Sequence, residues 1–166
     1  EALQIDIVVQ AEPTAPQNPM DNVYCPGEAL TALSVDDPGA GFTINWYDVA
    51  MAGTSLGTGP SFTPPMAGTY YAEITDDAST CLSQRVAVSL RETPTLTFDP
   101  PSSTCATDLL TYELLITVGG GSGSGYALDA TPYTTVDNMD GTFTIQSIPA
   151  GMAASITLSD DNSCSL

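Results

Sequence analysis

Three aspartate doublets stand out among the chemically able side chains of this 166-residue chain: Asp36-Asp37, Asp76-Asp77 and Asp160-Asp161. Two neighbouring carboxyl groups are what general acid–base chemistry needs, one to hold a proton and one to take it. Each doublet lies in turn sequence, however, where aspartate is favoured because its carboxylate accepts nearby backbone N–H groups. Histidine is absent, which removes the base of the familiar nucleophilic triads. The run Gly119-Gly-Gly-Ser-Gly-Ser-Gly125 has no lysine to reach a phosphate and no helix behind it, so it reads as a hairpin or flexible linker. Asp137-Asn-Met-Asp-Gly141 begins like a calcium loop but lacks the downstream glutamate, and Asp-Gly after alternating sequence is a hairpin signal. No catalytic residue, cofactor-binding residue or metal ligand is expected, and the chain does not read as an enzyme.

Sulfur is the remaining reactive chemistry. Cys25, Cys81, Cys105 and Cys164 stand alone, not as the CxxC pairs with histidine that a zinc site wants. In a β-rich chain without lysine they point to structural disulfides and an oxidising compartment. The spacing repeats, which favours pairing within modules, Cys25–Cys81 and Cys105–Cys164, over Cys25–Cys105 with Cys81–Cys164. Each within-module bridge stabilises by roughly 4 kcal/mol in the chain-entropy model.

These residues sit between short strands. Thr69-Tyr-Tyr-Ala-Glu-Ile-Thr75 alternates, meets an acidic turn and ends at Cys81; Ser155-Ile-Thr-Leu-Ser159 does the same before Cys164. Two successive β-modules of one design follow. In the first, strands are expected at 29–35, 42–47, 61–63, 69–75 and 85–90, with Trp46 and Tyr70 or Tyr71 in the core. In the second they are expected at 95–98, 109–118, 126–130, 134–136, 142–148 and 154–159. Seven or so short strands at such turn spacing describe a sandwich. The expected divisions are 1–19, an orphan strand with a proline-rich linker; 20–92, module 1; and 93–166, module 2.

The orphan strand carries Leu3, Ile5, Ile7 and Val9. Module 1 has a closing strand after Cys81, whereas nothing comparable follows Cys164. Residues 3–9 would complete that pattern for a preceding or neighbouring module, so the chain reads as one period of an array, or as a subunit that donates a strand. No signal peptide precedes Glu1, which fits either a mature subunit or a segment of a longer protein.

Twenty acidic residues face two basic ones, Arg85 and Arg91, for a net charge of −18. Such a field repels phosphate backbones and anionic headgroups, so nucleic acid is not an expected partner. No apolar run is long enough for a spanning helix, and membrane insertion is not expected either.

Cys25-Pro-Gly27, Thr43-Ile-Asn-Trp-Tyr-Asp48, Gly53-Thr-Ser-Leu-Gly57, Ser61-Phe-Thr-Pro64, Gly68-Thr-Tyr-Tyr71 and Cys81 together resemble the immunoglobulin-like repeat of large secreted surface proteins of Bacteroidota. Residues 105–164 are similar to a sister repeat. The resemblance implies an all-β fold of two tandem immunoglobulin-like β-sandwich modules, export by the type IX system and an extracellular, cell-surface location. It also implies an adhesive or fibre-forming role, as a disulfide-stapled spacer whose partners are neighbouring repeats of one long chain or identical chains in a fibre. The alternative is a calcium-assisted or carbohydrate-binding module, which needs clustered acids or several exposed aromatics on one face.

Overall fold

The computed structural model describes residue 9, residues 11–107 and residues 109–166. Among these the chain forms fourteen strands and no helix, as frequent proline and glycine between short alternating runs require. They fall into two compact units. The first holds the described residues up to Val23 together with Leu30–Arg91; the second holds Tyr24–Ala29 and Glu92–Leu166.

In unit 1, strands β1 (Asn22–Tyr24), β2 (Leu33–Ser34), β3 (Phe42–Tyr47), β4 (Gly57–Thr58), β5 (Ser61–Phe62), β6 (Gly68–Asp76) and β7 (Val86–Glu92) make two sheets. One has the order β1-β7-β6-β3-β4, the other pairs β2 with β5. Strands β3 and β6 run antiparallel from Phe42 opposite Asp76 to Tyr47 opposite Tyr71. The two-residue period then sends Ile44 and Trp46 of β3, Tyr70, Ala72 and Ile74 of β6, and Val88 and Leu90 of β7 inward, where all are buried with Leu33 of β2. Trp46 is fully buried and is tied at its polar edge, its Nε1–H donating to the Gly59 carbonyl at 2.8 Å. Its ring stacks on Phe62 of the second sheet, which meets Tyr70 edge-on, so three rings close the space between the layers.

In unit 2, the larger sheet has the order β12 (Thr134–Asp137), β13 (Thr142–Pro149), β10 (Thr111–Gly119), β8 (Thr97–Phe98), with β9 (Ser102–Cys105) also on β10. The second sheet pairs β11 (Ala127–Asp129) with β14 (Thr157–Ser159). Ile116, Leu128, Phe143, Ile145 and Ile148 form the core between them. Strict alternation along β13 would turn Ser147 inward and Ile148 outward. The register instead jumps between Tyr112, opposite Ile148, and Leu114, opposite Ile145, with Ser147 at φ 60°. This bulge shifts the phase by one residue and keeps both isoleucines inside.

Three expectations need correction. The span 20–92 is not continuous, because Tyr24–Ala29 belongs to unit 2. Residues 11–19 are not a free linker along their length: Pro16 is buried, and the Gln17 carbonyl accepts the Asp36 N–H at 2.9 Å within unit 1. The disulfide joins Cys25 to Cys164, with Cα atoms 5.4 Å apart, while Cys81 and Cys105 are free thiols. Geometry explains why Cys105 and Cys164 do not pair. Cys105 sits opposite Tyr112 at the start of β10, whereas Cys164 belongs to the cluster that Val118 packs against. Six residues of strand span about 20 Å, and a disulfide needs Cα atoms within about 7 Å. In unit 1, the chain leaves at Val23, close to where Asp21 accepts the Ser89 N–H beside the Gly68 end of β6; Cys81 follows the opposite end, at Asp76. Of the donated-strand residues, Leu3, Ile5 and Ile7 lie outside the described residues, and Val9 is 86% exposed.

Candidate functional site

The turn that follows β14 is the most highly built feature of unit 2. Asp160 is buried and its carboxylate accepts three backbone N–H groups, from Ser122 at 2.7 Å, Asn162 at 3.0 Å and Cys164 at 3.0 Å. Burial pushes its carboxyl up, but the N–H groups of Ser122, Cys164 and Asn162 outweigh that and hold it below the ordinary value. The glycine run supplies the other wall. Gly121 adopts φ +57°, and a Cβ there would run into the Asp160 carboxylate and Leu96; one at Gly125 would strike Asp161. Ser124 Oγ–H donates to Asp161 at 3.0 Å, and Tyr126 O–H to the Gly120 carbonyl at 2.7 Å. The run expected to be a hairpin or flexible linker joins strands of two different sheets and is a packed loop closed onto the Asp160-Asp161 doublet.

Behind that turn lies the disulfide. Cys164 is buried with Leu96 and Leu158, and Thr93 Oγ lies 3.2 Å from its sulfur. Cys25 is held in place because the Thr93 N–H donates to the Tyr24 carbonyl at 3.0 Å and the Glu28 N–H closes a turn on the Cys25 carbonyl. Beyond Cys164 the chain pairs with the outer edge of β14: Ser159 faces Ser165, and Leu158 and Leu166 exchange N–H···O bonds of 3.0 and 2.9 Å.

Unit 1 repeats this arrangement. The Asp76 N–H donates to the Cys81 carbonyl as the Asp160 N–H does to Cys164, and Thr75 faces Leu82 as Ser159 faces Ser165. Asp76 accepts N–H groups from Ala78 and Ser79, chiefly the latter, which holds its carboxyl below the ordinary value. Cys81 and Cys164 thus occupy one position of a shared design. In unit 1 the strand begun at Leu82 continues as β7 and covers β6 from Ala72 to Gly68. In unit 2 the corresponding cover reaches Leu166, opposite Leu158.

A second cluster, which sequence reasoning missed, lies on the outward face of unit 1. Glu73 is 6% exposed and accepts Arg85 Nε–H at 2.9 Å and Tyr47 O–H at 3.2 Å. The Arg85 guanidinium sits 3.4 Å over the Tyr47 ring and donates to the carbonyls of Val49 and Ala52, each at 2.7 Å. Burial and the Glu73 charge raise the Tyr47 phenol above its ordinary value, against the opposing pull of Arg85. Arg85 Nε–H and Nη1–H and the Tyr47 hydroxyl all donate to neighbouring acceptors, so the cluster braces β3 and β6.

The other acids serve turns. Asp137 accepts the Met139 N–H at 2.8 Å, and Asp140 accepts the Thr142 hydroxyl and N–H, which lower its carboxyl. The would-be calcium loop is thus the hairpin between β12 and β13. Among the described residues no group of three or more potential metal ligands converges. A cavity of about 300 Å3 in unit 1 lies between the Pro13–Gln17 segment and Ile74, with Phe42 as its single aromatic wall.

A family model for the Ig-like domain described as CHU_C associated matches residues 13–109. No curated protein matches the chain. Among solved structures, Sidekick-1 immunoglobulin domains 1–4 match at 14% identity and a TM-score of 0.40, covering 89% of this chain and 45% of that one. The surface glycan-binding protein SGBP-B of the Bacteroides ovatus mixed-linkage glucan utilization locus, in complex with a mixed-linkage heptasaccharide, matches at 19% identity and a TM-score of 0.27, covering 86% and 40%. The chain spans less than half the length of either solved chain. With more than half its length matched, the chain belongs to the CHU_C-associated Ig-like domain family, which is associated with Bacteroidota and type IX secretion.

Proposed function

We propose that this chain is a structural repeat segment of an extracellular bacterial surface protein or appendage fibre, a disulfide-stapled spacer whose partners are further copies or repeats of itself. The observation that carries the reading is the repeated design of the two units. In each, a strand ends in an aspartate turn whose N–H donates to the carbonyl of the following cysteine, and the chain beyond that cysteine pairs back on the same strand. Units that repeat one design are the elements of an array. A segment patterned as Leu3, Ile5, Ile7 and Val9, with alternate apolar side chains, can add as a strand to a neighbouring copy. The engaged carboxylates and braced Arg85 cluster favour a load-bearing role over a chemical one. The family's associations support placement at the cell surface.

The test compares the full chain with an Ile5→Asp/Ile7→Asp variant by analytical ultracentrifugation. The full chain is expected to form concentration-dependent end-to-end oligomers, and the variant to sediment as a monomer. Indistinguishable monomers at high concentration would sink the proposal.

A further inference from the structure

We infer that Cys81 and Cys105 are the two halves of a second disulfide, formed between copies: Cys105 of one chain bonds to Cys81 of the next. This rests on the end-to-end reading above and names the covalent bond that locks it. The argument is positional. Cys81 occupies in unit 1 the place that Cys164 occupies in unit 2, each directly after the acidic turn that its carbonyl helps to close. Cys105 corresponds to Cys25 in chain order: one is the last residue of β9, which pairs with β10, and the other directly follows β1, which pairs with β7, and each is followed by a short segment leading into the next strand. The bonded pair, Cys25 and Cys164, is thus made of one cysteine of each kind, and so is the free pair.

The surroundings agree. The segment Tyr24–Ala29 leaves the strand before it and lodges in unit 2 beside Leu96 and Cys164. After Cys105 the chain closes a tight turn, the Ala106 N–H donating to the Thr111 carbonyl, and there the Cys105 thiol is exposed and Leu109 is 76% exposed. In unit 1, Cys81 is half-exposed and Leu82 exposed, whereas Cys164 is buried.

Bond formation needs an oxidant, here a disulfide such as oxidised glutathione or the disulfide of a thiol oxidoreductase. One cysteine thiolate attacks that disulfide, forms a mixed disulfide and releases one reduced thiol. The second thiolate then attacks the protein sulfur, forms Cys105–Cys81 and expels the second thiol. Two protons and two electrons pass from the protein thiols to the oxidant.

Full chains, half of them isotopically heavy, would be mixed in a glutathione redox buffer and run without reductant, then digested and mapped by mass. The expected result is a ladder of covalent multimers whose linked peptides join Cys81 to Cys105, about half of them heavy–light hybrids, with no hybrid Cys25–Cys164 peptide. Cys81→Ser or Cys105→Ser alone should abolish the ladder, and mixing the two variants should restore a band that stops at the dimer. Like-with-like linkages in equal yield, linkage without hybrids, or thiols that stay free while the chains assemble would each overturn the inference. The Cys81→Ser/Cys105→Ser double variant separates the two readings: if it assembles while wild-type thiols stay free, the strand reading survives and the staple fails. If it stays monomeric and wild-type thiols stay free, both fail.

Discussion

Asp160 shows how an acid-rich chain uses carboxylates as structural acceptors. Its charged form is held by three N–H groups, so its folded-state pKa lies below the ordinary 3.8. A depressed carboxyl contributes stability that is present above the unfolded value and lost as pH falls through the folded one. Asp160→Ala is therefore expected to cost about 2 kcal/mol at neutral pH. In urea titrations that difference from wild type should shrink below about pH 4; a difference independent of pH would refute the role. Arg85 is the second residue of consequence. Removing it leaves Glu73 buried without its cation, so Arg85→Ala should lower stability by about 3 kcal/mol. A Glu73→Leu/Arg85→Met double variant should recover most of it, as thermal unfolding of both would report.

At the scale of elements, the glycine loop and the β14 edge decide more than the strands do. Gly121 and Gly123 both have positive φ, but only at Gly121 would a Cβ meet Asp160 and Leu96; at Gly123 there is open space. Gly123→Ala should then cost about 1 kcal/mol for the backbone alone, and Gly121→Ala distinctly more. Equal unfolding midpoints would show that the loop does not close on the doublet. Most strands were legible from alternation: the runs at Phe42–Tyr47, Thr69–Thr75 and Thr142–Ile148 lie within or along β3, β6 and β13. Alternation left the bulge at Ser147 unplaced: the three-residue step from Ile145 to Ile148 breaks the two-residue period but does not say where the extra residue is taken up. β1 and β9 were missed because they are three and four residues long and exposed or half-exposed, with no buried apolar alternation to mark them. The cysteine partners were misread because equal spacing records a repeated design, whereas bonding follows proximity. Arg85 was seen only as a scarce cation, since its partner Glu73 lies across a turn and on the outward face of the sheet.

For the molecule as a whole, charge bears on the self-association proposed above. A net charge of −18 makes copies repel one another, and added salt screens that repulsion over about 10 Å at 0.1 M. Self-association of the full chain should therefore strengthen from low to moderate sodium chloride. Light scattering across a salt series reads this directly, and weakening with salt would mean that ionic attraction holds the copies together.

The Cys25–Cys164 bond has a mechanical corollary. Its cysteines are 139 positions apart in sequence, a stretch whose fully extended length is about 480 Å. A pulling force that arrives ahead of Cys25 and departs past Cys164 crosses through two sulfur atoms and leaves the enclosed polypeptide slack. Such a tether would transmit tension without paying out length, which suits a surface exposed to flow.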